Sequence, residues 1–117
     1  MTVESDLYDA LKVICARTFP DIAPVNTARP YVTYQQIGGD AVSFIDSTVP
    51  SKENGEFQIN VWADTRASAK ALIKQIEAAL IVATAFQARP LAAPVSDYDH
   101  DNQVYGSLQS FSVWSNR

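Results

Sequence analysis

The chain has 117 residues, 47% of them hydrophobic and 19% charged, which suits one domain, residues 1–117, around one core. Its net charge of −4 argues against nucleic-acid recognition, which calls for the opposite sign. The single cysteine, Cys15, excludes an internal disulfide and fits a reducing compartment, and no apolar run approaches the roughly 20 residues that span a bilayer.

The first ten residues, MTVESDLYDA, are acidic and amphipathic and lack the basic start and apolar stretch of a signal peptide. The expected setting is therefore the cytoplasm. Residues 3–16 read as a helix, because Val3, Leu7, Ala10, Leu11 and Ile14 share one face. Thr2 or Ser5 can cap its start, and Glu4 and Asp6 suit its positive end. Cys15 flanks the apolar face and reads as a small core side chain rather than a reactive thiol.

Pro20, Pro24 and Pro30 make FPDIAPVNTARP a loop. RPYVTYQQIGG then reads as a strand, Gly38-Gly39-Asp40 as a turn, and AVSFI, residues 41–45, as the returning arm of a hairpin. Residues 46–55, DSTVPSKENG, are expected to form a long mobile loop. From Phe57 the pattern alternates: Phe57, Ile59, Val61 and Ala63 face one way, and Gln58, Asn60 and Trp62 the other.

The period then changes. Asp64 or Thr65 caps a helix over 65–83, whose buried stripe is Ala69, Leu72, Ile73, Ile76, Ala79, Leu80 and Ala83. After Pro90 and Pro94, VSDY, DHDN and QVYGSLQSFSVWS read as the two arms and turn of a closing hairpin, with a slip in alternation between Leu108 and Phe111 that predicts a bulge or change of face. The order helix, hairpin, strand, helix, hairpin predicts an α+β fold: a mostly antiparallel sheet of about four to five strands with two helices packed on one face.

Few residues carry chemistry. Asp97, Asp99 and Asp101 open like a calcium loop, but Asn102 stands where its glycine belongs and Leu108 where its bidentate glutamate belongs. His100 between carboxylates suggests a general base, yet no nucleophile can be placed beside it. No catalytic residue, cofactor or metal site is expected. The helix 65–83 presents Arg66, Lys70 and Lys74 along one stripe beside Ala67, Ala71 and Ala78. That stripe reads either as a solvated face or as a contact for an acidic neighbour, such as another copy of this acidic chain. Trp62 and Trp114, on the polar sides of their strands, read as partly covered side chains or interface anchors.

The order of RPYVTYQQIGGDAV, a variable loop, FQINVWADTRASAKALIKQIEAAL, and an acidic turn leading to SLQSFSVW resembles the tail-completion (tail-terminator) proteins of long-tailed phages and prophages. That family carries a "PYVVYQ"-like strand and a strand ending near "Q-x-x-V-W-A". Here these fall on Pro30 to Gln35 and on Gln58, Val61, Trp62 and Ala63, while the proline-rich loop before them departs from the pattern. The resemblance implies a structural protein of the virion tail, assembled in the host cytoplasm. It implies a ring, generally six-fold, that caps the head-proximal end of the tail tube and meets the head connector. The partners it implies are copies of the chain, the tail tube protein and the connector, with no sequence-specific nucleic-acid binding and no membrane. The interface candidates are Arg66, Lys70, Lys74, Asp97, Asp99 and Asp101. The alternatives are another neck or head-closure component and a small-molecule-binding α+β module.

Overall fold

The computed structural model describes residues 2–117. Helix α1, Val3–Ile14, starts at Thr2, whose hydroxyl accepts a hydrogen bond from the Ser5 amide at 3.1 Å. Leu7 and Leu11 are fully buried, and Cys15, just past the helix, joins the same core. Strand β1, Thr18–Pro20, runs parallel to β2, Tyr31–Gly38. The stretch expected to be all loop thus begins as a strand. Its pairing is tertiary: the Val32 amide donates to the Arg17 carbonyl, and the Asp21 amide to the Tyr34 carbonyl. No local pattern announces such a strand.

Strand β3, Lys52–Ala63, is antiparallel to β2. Helix α2, Arg66–Val82, follows from Thr65, whose hydroxyl accepts from the Ser68 amide at 3.1 Å. The chain then forms β4, Gln87–Pro90, β5, Val95–Asp99, and β6, Val104–Asn116. The sheet order is β1-β2-β3-β6-β4, with β5 also paired to β6. This is the expected α+β architecture, with a sixth strand beyond the expected number and one parallel pair among otherwise antiparallel ones.

Helices α1 and α2 cover one face of this sheet. Val32 and Tyr34 from β2, Phe57, Ile59 and Val61 from β3, and Phe111 and Val113 from β6 meet Leu7, Leu11, Ile73, Ile76 and Leu80 in a single cluster. The opposite face carries Thr33, Gln58, Asn60, Trp62, Ser110 and Ser112, set by strict alternation from the buried residues.

Three expectations need correction. Residues 41–45 form no strand, because β3 itself returns along β2 and takes the partner position: Gly38 lies opposite Glu56, with a register shift between Gln36 and Gly38. Residues 52–55 belong to β3, so the loop comprises residues 39–51 instead of 46–55. Gly39 starts it at φ 146°, where an added Cβ would fall 2.5 Å from the Asn54 carbonyl oxygen, so only glycine fits. Finally, β6 carries no bulge. It pairs with β3 in unbroken register from Lys52–Asn116 to Ala63–Tyr105. The apparent slip arises because Gln109 occupies a core-facing slot, 3% exposed, held by Glu77 and by the Ala92 carbonyl at 2.9 Å. The irregularity lies on the neighbouring edge, where residues 91–94 interrupt β4 and β5 opposite Gln109 and Ser110.

Trp62 lies flat over Gly106, its partner across the strands, on the outer face. A methyl at Gly106 would sit 2.7 Å from the indole, whereas one at Gly38 would meet nothing within 4 Å. Gly106→Ala is therefore expected to cost about 1–3 kcal/mol of overpacking, and Gly38→Ala less than about 0.5 kcal/mol. Urea unfolding of both variants checks the contrast. Equal stability for the two would show that the indole is not seated on Gly106.

Candidate functional site

The candidate interface residues lie on two elements. The helix α2 stripe comes first. Arg66 sits at its start with the guanidinium 6.0 Å from the Tyr105 ring centre. Tyr105 in turn packs on Tyr98 at 4.8 Å. Arg66 is thereby brought to the end of the sheet that also carries the acidic turn. Lys70 and Lys74 lie further along the helix and are exposed. The one ion pair among the described residues joins Arg29 to Asp64. Lys70 and Lys74 therefore stand in solvent without an ion-pair partner among these residues, on a side of the helix away from the buried Ala69, Ile73 and Ile76.

The acidic turn between β5 and β6 is organised by Asp99. Its carboxylate accepts from the Asn102 side-chain amide at 2.8 Å and from the Asp101 and Asn102 backbone amides at 3.0 and 3.4 Å. The Asn102 amide, aided by those backbone donors, holds the Asp99 carboxyl below the usual carboxylate range. Asp97 accepts from the Tyr98 amide at 2.8 Å. Asp101 is exposed. His100 packs edge-on against Tyr98 at 4.9 Å. Asp99 thus uses its carboxylate to close an Asx turn. No group of three or more metal-ligating side chains is found among the described residues.

A residue with no signal in the sequence ties this region together. Arg29 donates to Asp64 at 3.1 Å, to the Asn102 carbonyl at 2.6 Å and to the Gln103 carbonyl at 3.2 Å. Arg17 holds the same segment through the Pro30 carbonyl at 2.9 Å. The exposed ion pair alone contributes little. The carbonyl contacts matter more, because they fasten the 21–30 loop to the acidic turn and to the approach of α2. That loop and the outer sheet face enclose a cleft of about 480 Å³, floored by Tyr31, Thr33, Asn60 and Trp62. Such partners lie 35 and more than 70 residues away in sequence, where no local pattern can find them.

No helix among the described residues is long and apolar enough to cross a membrane. One sheet face is sealed by helices, the other is polar, and a basic helix face stands free. These features define a small α+β domain with one covered sheet face and a free basic helix face. The chain belongs to the family of Tail completion protein gp17, whose sequence profile matches residues 6–116, and it is accordingly a structural protein of a phage-type tail. In the solved virion of a native gene transfer agent particle, one chain matches with a TM-score of 0.67, 16% identity, and coverage of 98% of this chain and 95% of that one. A second solved chain, without a descriptive name, matches with a TM-score of 0.56, 14% identity, and coverage of 97% and 89%. At these identities the likeness is one of fold. No curated protein matches the chain.

The Asp99 carboxyl gives a pH test of the turn. Its lowered pKa means that its capping contribution is complete above the ordinary carboxylate value, about 3.9, and is lost as the pH falls through the lowered value. A carbon-detected NMR titration should place the Asp99 midpoint below that ordinary value, and Asn102→Ala should move it upward. An unmoved midpoint in Asn102→Ala would mean that the side-chain amide does not hold the carboxylate.

Proposed function

We propose that the protein completes the tail by forming a six-fold ring on the head-proximal end of the tail tube. The ring stops tube growth and offers the surface that joins the head connector. The match to the tail-completion family over nearly the whole chain carries this reading. The partners are other copies of the chain, the tube protein and the connector. The protein resides in the virion tail after assembly in the host cytoplasm.

The surface chemistry supports the reading. The molecule has a net charge of −4, yet Arg66, Lys70 and Lys74 gather on one helix. Copies meeting head-to-tail set that stripe against a neighbour's carboxylates. A head-to-tail contact pairs two different patches and closes on itself when the rotation per copy divides a full turn. Each exposed ion pair contributes only about 0.2–1 kcal/mol. Charge therefore sets register and partner choice, and apolar contact carries the affinity.

The test is assembly on tubes. Lys70→Glu combined with Lys74→Glu reverses the stripe at exposed positions and leaves the core untouched. With the fold confirmed by circular dichroism, electron microscopy of tails should show overlong tubes or tails without heads. Tails of normal length joined to heads would overturn the role given to this stripe.

A further inference from the structure

The free face of α2 is not only basic. It continues past Lys74 into Ile81 and Val82, which are 52% and 75% exposed. Lys70, Lys74, Ala78 and Ile81 fall on one side of the helix at spacings of three and four. A partner for this face therefore needs an acid followed by large apolar side chains. The acidic turn of residues 97–102 does not meet that need, because its one large apolar group, Tyr98, is already packed between Tyr105 and His100.

The loop of residues 39–51 does meet it. Phe44, Ile45 and Val49 are 52%, 107% and 74% exposed, an unusual concentration of bare apolar surface on one loop. Asp40 precedes them. Its backbone amide is fixed by the Asn54 side chain at 2.9 Å, so the carboxylate leaves the sheet from a defined point. The exposed Asp46 carboxylate is engaged within the loop, accepting from the Thr48 amide and hydroxyl at 3.1 and 2.7 Å. The segment between them, AVSFI, has the composition of a strand, yet it pairs with nothing in the monomer.

The spans also agree. Lys70 and Ile81 lie about 16 Å apart along the helix at 1.5 Å per residue. Asp40 to Phe44 reaches about 13 Å when extended at roughly 3.3 Å per residue, and the turn closed by the Ser47 amide on the Phe44 carbonyl carries Ile45 beyond it. Both surfaces belong to this chain, so their complementarity points to a second copy.

We propose that the exposed face of α2 in one copy receives the 40–49 loop of a second copy, with Asp40 against Lys70 and Lys74 and with Phe44 and Ile45 against Ile81 and Val82. This deepens the ring reading, on which it rests: it names the two patches of the head-to-tail contact. The contact buries the loop's apolar tip and the helix's apolar end together, and the ion pairs fix their register.

Cross-linking between distinguishable copies tests it. Ile45→Cys and Ile81→Cys are made separately, each with Cys15→Ser, and one of them is isotope-labelled. Both positions are exposed, and circular dichroism checks that each variant folds. Rings are formed from the mixture, on tubes if needed, verified by electron microscopy and treated with a short bismaleimide. Mass spectrometry should find the 45–81 adduct between labelled and unlabelled chains at least tenfold over 45–45 or 81–81 adducts. In parallel, Asp40→Lys should restore ring formation lost in Lys70→Glu. Rings that give only homotypic adducts, adducts of residue 45 with the tube protein, or no adduct would overturn this contact and leave the ring standing. Failure to form rings under all these conditions would remove the ring reading itself.

Discussion

The pairing of β3 with β6 is the constraint on which the rest of the structure depends. Their residues face one another in a single antiparallel register from Lys52–Asn116 to Ala63–Tyr105. Side chains alternate between faces with a period of two, so a slip of one residue would turn Phe57, Ile59 and Val61 outward and expose Gln58, Asn60 and Trp62 to the core. Phe57 opposite Phe111 fixes the register at the apolar end, and Trp62 on Gly106 fixes it at the other. The two pairs lie on opposite faces, so the register is specified twice.

From that ribbon both outer margins are built. β2 adds along β3, and β1 adds to β2 only over Thr18–Pro20, leaving Gln35–Gly38 beyond its reach. On the other side β4 and β5 share β6 as their partner, separated by residues 91–94 between Pro90 and Pro94. The polar Gln109 in a core-facing slot follows from this interruption. The interruption leaves the Ala92 carbonyl free to accept from Gln109, and α2 supplies Glu77. A hydrophobic residue there would leave both partners without a donor, so the polar exception belongs to the architecture of the edge.

Sequence pattern reveals what is local and periodic. The two helices expected over 3–16 and 65–83 are found at Val3–Ile14 and Arg66–Val82, because each combines an apolar stripe with a side-chain N-cap. Alternation likewise makes β6 and the Phe57–Ala63 part of β3 legible, whereas residues 52–55 read as loop. The margins are not legible. β4 is QARP, with a proline and no apolar alternation, and exists because Trp114 to Phe111 offer it a ladder. The opposite error occurs at AVSFI, whose strand-like composition finds no free partner because β3 occupies the place beside β2. At the surface, Arg66, Lys70 and Lys74 are recognisable as one helix face. The Arg29 clamp is not, because it bonds to Asp64, Asn102 and Gln103, residues that only the fold brings together.

In the proposed ring, the protected edges favour faces and loops over strand pairing as the means of association. Open edges invite indiscriminate pairing unless they are short, bent or interrupted. Here β1 has three residues and ends in Pro20, while the β4–β5 margin is broken at residues 91–94 and carries Asp97 and Asp99 on β5. Edge-to-edge growth would also be open-ended, since the same backbone pattern recurs at every added copy. A contact between a helix face and a loop instead fixes one angle between copies, because side-chain identity on both patches must agree. In the proposed ring the chain of contacts closes on itself, and a fixed angle permits closure where a repeating ladder does not. On the proposed ring, protecting the edges and exposing α2 and the 39–51 loop are two aspects of the same requirement.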